Sequence, residues 1–135
     1  MKILLALMTM LYASIGLAQT SVFIDVRTAS EFQQGHVEGA QLIPYDRIAE
    51  GIAELQPGMD TTLYLYCRSG RRAGIAQEAL QSMGYTRVIN LETLDNARQT
   101  SATLQLCAKS SDAPDCSMPG MPRETGPAAS APREG

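Results

Sequence analysis

The stretch Leu63-Tyr64-Leu65-Tyr66 constrains this chain more than any other feature, because it is apolar with no polar alternation. A strand with one face in water alternates; one that does not alternate is covered on both faces, as central strands of parallel sheets are. The surroundings fit such a strand. Cys67 ends it, Arg68-Ser69-Gly70 turn the chain, and a helix is predicted from about Arg71 to Ser82. That helix places Ala73, Ala76, Ala79, Leu80 and Met83 on one face and has Gly84 just past its end.

The rest of the chain alternates in the same β, α manner. Val22-Phe23-Ile24 predicts a short buried strand ending at Asp25-Val26-Arg27. Thr28, with Glu31 three residues on, forms a capping box, so a short helix should run to about Gln34, with Gly35 as its stop. Ala40-Gln41-Leu42-Ile43 predicts a second strand, closed by Pro44. Asp46 is placed to cap a helix carrying Ile48, Ile52 and Leu55 at i, i+4, i+7, which Pro57-Gly58 would end. Val88-Ile89-Asn90 predicts a further strand, and Leu91 to Arg98 a closing short helix or turn. Residues 19–100 should therefore supply one core, adequate for a three-layer α/β domain. Five of the seven prolines lie at Pro114 or later, among Ser, Ala, Gly and isolated charges, so 101–135 is expected to be a polar, largely disordered tail.

Residues 1–18 are read as a leader and not as fold. Lys2 precedes an apolar run from Ile3 through Leu11, and Gly16 and Ala18 are small residues at the −3 and −1 positions of a cut after Ala18. The run is short for a membrane anchor and no basic stop-transfer cluster closes it. A periplasmic or secreted protein, free of the membrane after cleavage, is the expectation. The leader holds only Lys2, which leaves ten basic against 14 acidic side chains, a net of −4. That balance argues against nucleic acid as a partner, since a phosphate backbone needs a basic face. Three cysteines remain, an odd count for an oxidising compartment. The economical assignment pairs Cys107 with Cys116 and leaves Cys67 free.

In open parallel sheets ligands bind beyond the carboxyl ends of the strands, where Cys67-Arg68-Ser69-Gly70-Arg71-Arg72 falls. Gly70 can adopt a conformation closed to other residues, so the loop can curl around its own first residue. Backbone N–H groups in such a curl form an anion-binding concavity, and the following helix adds its positive end. Both favour a thiolate at Cys67, as do guanidinium groups nearby. An inert buried cysteine is the bland alternative; the glycine and the arginine cluster weigh against it.

At these residues the chain resembles the rhodanese family. Asp25-Val26-Arg27, Glu31-Phe32, Gly35-His36-Val37-Glu38-Gly39-Ala40 and Ile43-Pro44 look like the family's amino-terminal signature. Cys67 to Ala73 looks like its active-site loop, and Gly84-Tyr85 through Val88 and Asn90-Leu91 like its closing strand. With one domain and a leader, the chain is most similar to the periplasmic single-domain rhodaneses of the phage-shock type. The resemblance implies a mostly parallel five-stranded sheet flanked by helices. It implies Cys67 as the nucleophile that becomes a persulfide, with the amides of residues 68–72 holding the outer sulfur and Arg68, Arg71 or Arg72 attracting the donor. Asp25 and Arg27 match a pair near the loop with a supporting role, and His36 belongs to the turn before the second strand. Glu92-Thr93-Leu94 departs from the family, which often has Gly-Gly-Leu there.

Phosphatases and arsenate reductases on the same fold use a Cys-x5-Arg loop, but the sixth residue after Cys67 is Ala73, and Arg72 falls one position early. The shorter loop suits a single sulfur. The expected reaction takes sulfur from a small anionic donor such as thiosulfate and delivers it to a thiol, a protein thiol or cyanide. No cofactor is expected, and no metal, since no metal-spaced Cys/His cluster is present. Other readings stay open: a persulfide carrier with little turnover, Cys107 and Cys116 in a redox role, or soft-metal binding at Met118 and Met121.

Overall fold

The computed structural model describes residues 20–110. The leader 1–18, Cys116 and the methionine-containing tail segment lie outside the described residues. The elements in order are β1 (Ser21–Asp25), α1 (Ala29–Gln34), β2 (Gln41–Leu42), a 3-10 turn (Tyr45–Arg47), α2 (Ile48–Leu55), β3 (Thr62–Cys67), α3 (Arg71–Ser82), β4 (Val88–Thr93) and α4 (Leu94–Lys109).

Among the described residues the sheet has four strands, all parallel, in the order β2-β1-β3-β4. The unalternating strand is central and every one of its six residues is buried. Leu63, Leu65 and Cys67 point into one core, with Ile24 and Val26 of the first strand and its exit, and Ala73, Ala76 and Leu80 of α3. Tyr64 and Tyr66 point into the other, against Val37, Leu91 and Ala97, with Phe32 of α1 and Leu104 of α4 packed on it. Helices α2 and α3 thus cover one face, α1 and α4 the other, which gives the three layers expected. From β1 the chain winds outward to β2, then crosses back to β3 on the other side. The topological switch point, where open α/β sheets form their crevice, therefore lies between the carboxyl ends of β1 and β3. Asp25 and Cys67 end those two strands.

Three local expectations change. Asp46 does not cap a helix: it sits inside the 3-10 turn, and α2 starts without a side-chain cap. β2 is only two residues long. The closing helix runs to Lys109, nine residues past the expected domain end at 100. Thr93 caps it by accepting from the Asn96 amide at 3.2 Å, and Leu104 anchors its second half to the core. The expected polar tail therefore begins inside a helix, whose apolar anchors are spaced too sparsely to stand out by periodicity alone.

Candidate active site

The β3–α3 junction curls as the sequence suggests. Gly70 adopts φ +88, in the left-handed region, and turns its amide onto the Cys67 sulfur at 3.0 Å. Burial pushes the Cys67 thiol up, but the backbone amides of Ala73, Ser69, Gly70 and Arg72 outweigh it, and the net pKa lies below the ordinary thiol value. The residue itself is 1% exposed and its thiol is free. Such a ring of main-chain donors favours the thiolate over the thiol despite the burial. The ring differs slightly from expectation: Ala73, the first buried residue of α3, takes part.

The arginines divide. Arg68 and Arg71 are exposed, and neither enters the salt bridges seen among the described residues. Arg72 is half-buried and forks onto Glu31, with Nη1 to Oε2 and Nη2 to Oε1 both 2.9 Å. Its pKa is raised chiefly by Glu31, with smaller contributions from Cys67. The guanidinium thus faces the sulfur while being tied to α1.

Asp25 and Arg27 form a buried pair beside the end of β3. Buried Asp25 accepts from the Arg27 amide at 3.0 Å and from its Nη2 at 2.6 Å, and the same Nη2 donates to the Gly35 carbonyl at 2.7 Å. The guanidinium lies 5.6 Å from the centre of the Tyr66 ring, close enough for a cation–π contact. Tyr66 accepts from the Val37 amide at 3.0 Å, and its phenol is pushed up to about 12, mainly by burial. The strand end that carries Cys67 is therefore fixed through its neighbour. His36 stacks on Phe32, centroids 3.6 Å apart, with Nδ1 2.8 Å from the Phe32 carbonyl, a contact within the turn that ends α1.

Three contributors were not legible as site residues. Glu31 is legible as part of the capping box, which it does form with Thr28, and of the signature pair Glu31-Phe32; its bond to Arg72 spans 41 positions, which no local pattern can reveal. Asn90 donates to the Gly70 carbonyl at 3.0 Å and accepts from the Glu92 amide at 2.8 Å. Glu92 occupies a bulge where pairing jumps from Leu65–Asn90 to Cys67–Thr93. It holds φ +68, a conformation that costs a residue with a Cβ about 1–2 kcal/mol. That is why glycine suits this turn, and the Glu-for-Gly departure leaves the turn in place. Cys107 is disulfide-bonded. Two broader surface clefts, one beside Phe23, Gly39 and Leu104 and one beside Leu42, Arg47 and Glu54, are lined by residues away from the loop.

Comparison with known proteins agrees with this geometry. The family model described as a rhodanese-like domain matches residues 9–93. The thiosulfate sulfurtransferase PspE of Escherichia coli K12 is 46% identical over 68 residues, covering 50% of this chain and 65% of that protein. A sulfurtransferase of Allochromatium vinosum is 36% identical over 70 residues, covering 52% of this chain and 64% of that one. The chain thus spans just under two-thirds of either relative's length. Among solved structures, a rhodanese with anions from E. coli aligns with TM-score 0.54 at 42% identity, over 57% of this chain and 91% of that one.

Proposed function

Since the chain belongs to the rhodanese-like domain family, we propose that it is a sulfurtransferase that carries sulfane sulfur on Cys67 as a persulfide. The observation that carries this reading is the free, buried Cys67 whose pKa is lowered by converging backbone amides despite its burial. A thiolate is the nucleophile sulfur transfer requires. In the first half-reaction the Cys67 thiolate attacks the outer sulfur of thiosulfate, the S–S bond of the donor breaks, and sulfite leaves with the bonding pair. The outer sulfur of the persulfide then carries the negative charge, for which the amides of Ser69, Gly70, Arg72 and Ala73 are donors. In the second half-reaction an acceptor thiolate or cyanide takes that sulfur and Cys67 leaves as thiolate. Exposed Arg68 and Arg71 are suited to drawing the anionic donor to the loop, and Arg72 balances charge at the sulfur while Glu31 fixes its position.

Intact mass of the protein before and after thiosulfate tests the reading. Wild type should gain one sulfur, about 32 Da, and lose it to cyanide. Cys67→Ser should gain nothing while still folding and melting cooperatively; retained turnover by that variant ends the proposal. Multiple turnovers with cyanide distinguish an enzyme from a carrier that loads once.

Export belongs to the same proposal. The amino terminus of protein recovered from cells should be Gln19, and a mature protein beginning at Met1 would contradict it. Cys107 and Cys116 are proposed to pair, and peptide mapping linking either to Cys67 would overturn that assignment.

A further inference from the structure

The flank of the loop carries a charge that its neighbours do not neutralise. Glu92 is exposed and makes no salt bridge among the described residues. Its stem lies on Gly70: a methyl group added there would meet Glu92 Cγ at 3.1 Å, Cβ at 3.2 Å and Cα at 3.3 Å. Gly70 is the residue whose amide stands 3.0 Å from the Cys67 sulfur. The contact is fixed and not incidental, because Asn90 bonds both the Gly70 carbonyl and the Glu92 amide. A side chain held at φ +68 in a bulge that favours glycine persists only where its surroundings over-determine it, and such outliers gather at functional sites. The rim is therefore bipolar, with exposed Arg68 and Arg71 on the loop and a carboxylate on its flank.

We propose that Glu92 is a specificity-determining residue: its carboxylate sets the charge preference of the loop among sulfur donors, against dianionic thiosulfate and in favour of monoanionic donors such as alkyl thiosulfonates. The inference rests on the sulfur-transfer reading and refines its donor class. With a thiosulfonate, the Cys67 thiolate attacks the terminal sulfur, the S–S bond breaks, and a sulfinate leaves with the pair, so charge and atoms balance as with thiosulfate. Repulsion from a carboxylate whose stem is held on the loop scales with donor charge and is screened by salt. Removing it helps a dianion more than a monoanion.

The test measures kcat/KM for thiosulfate and for methanethiosulfonate with wild type, E92Q, E92D and E92G, at low and high salt. E92Q should raise kcat/KM for thiosulfate by about 3- to 10-fold, through KM, and should raise it less for methanethiosulfonate. The donor ratio should shift by at least about twofold and return toward wild type near 1 M salt, where screening is nearly complete. E92G should match E92Q, since both remove the charge and only one restores glycine to the bulge; E92D should keep the wild-type ratio. An unchanged ratio in E92Q overturns the inference, as does an equal shift in E92D, which would trace the effect to the turn and not to the charge. These failures occur in protein that still takes up sulfur. Wild type that gains no mass from either donor removes the sulfur-transfer premise and the inference with it.

Discussion

At the scale of single residues, Cys67 turns two opposed effects into one state. Burial alone would raise its pKa, and four amides aimed at the sulfur bring it below the ordinary thiol value. A depressed pKa stabilises the fold when the group is ionised, so the contribution is full above the unfolded thiol's pKa and is lost as pH falls through the folded value. The stability difference between wild type and Cys67→Ser should therefore widen as pH rises between those two values, as chemical denaturation at stepped pH would record. The rate of sulfur loading should rise with pH and level off at an apparent pKa below the roughly 8.5 of a free cysteine, whereas a midpoint at or above that value would mean the amides do not govern the sulfur. Gly70→Ala attacks the same arrangement. The left-handed backbone would cost about 1–2 kcal/mol, the new methyl would press on Glu92, and relief by rotation would turn the amide from the sulfur. Loading should drop well before the variant unfolds; single-turnover mass measurements and a melting curve together separate the two.

Among elements, what was legible followed from chemistry that is local in sequence. The Thr28–Glu31 capping box and Gly35 delimit α1 as the spacing says. The unbroken apolar run of β3 and the Gly84 stop after α3 announce a central strand and its crossover, and Gly70 announces the curl between them. What was not legible depends on partners far along the chain. The 3-10 turn displaces Asp46 from the start of α2. The fork from Arg72 to Glu31 ties α3 to α1 across the loop, so an arginine that the sequence offers to the donor is already engaged. That fork holds the Glu31 carboxyl well below the usual carboxylate range, with the Arg72 bonds the largest cause and Thr28 adding to them against burial. Its stabilisation is present above the unfolded carboxyl's pKa and disappears as pH falls toward the folded value. Glu31→Ala removes the cap partner and the fork together and should cost about 1–3 kcal/mol. Glu31→Gln, which can still accept from the Thr28 amide, should cost less, yet slow sulfur loading by freeing Arg72. Equal melting temperatures for wild type and Glu31→Ala would show that the link between the two helices carries no load.

Taken whole, the molecule closes its second core with a helix that composition hides. Residues 100–109 are rich in polar and small side chains, and the prolines that follow make everything from there to the carboxyl terminus look unstructured. Yet α4 continues through Lys109, and Leu104 packs beside Tyr64, Tyr66 and Ala97 on the face opposite the loop. Ending the chain after residue 99 would leave a six-residue helix, shorter than isolated helices tolerate, and would expose the apolar surface under Leu104. A half-buried leucine is worth about 1–2 kcal/mol, and in a domain of this size each kcal/mol moves Tm by roughly 4–8 °C. Chains ending after residue 99 and after residue 110, both starting at Gln19 and both melted under reducing conditions so that Cys107 of the longer chain, which lacks Cys116, does not cross-link, should therefore differ by about 5–15 °C. The two should load sulfur alike well below either midpoint, because Cys67 and the buried residues around it belong to the core on the other side of the sheet. Coincident melting curves would mean that the second half of α4 lies on the domain without stabilising it, and that the boundary read from composition near residue 100 is the energetic one.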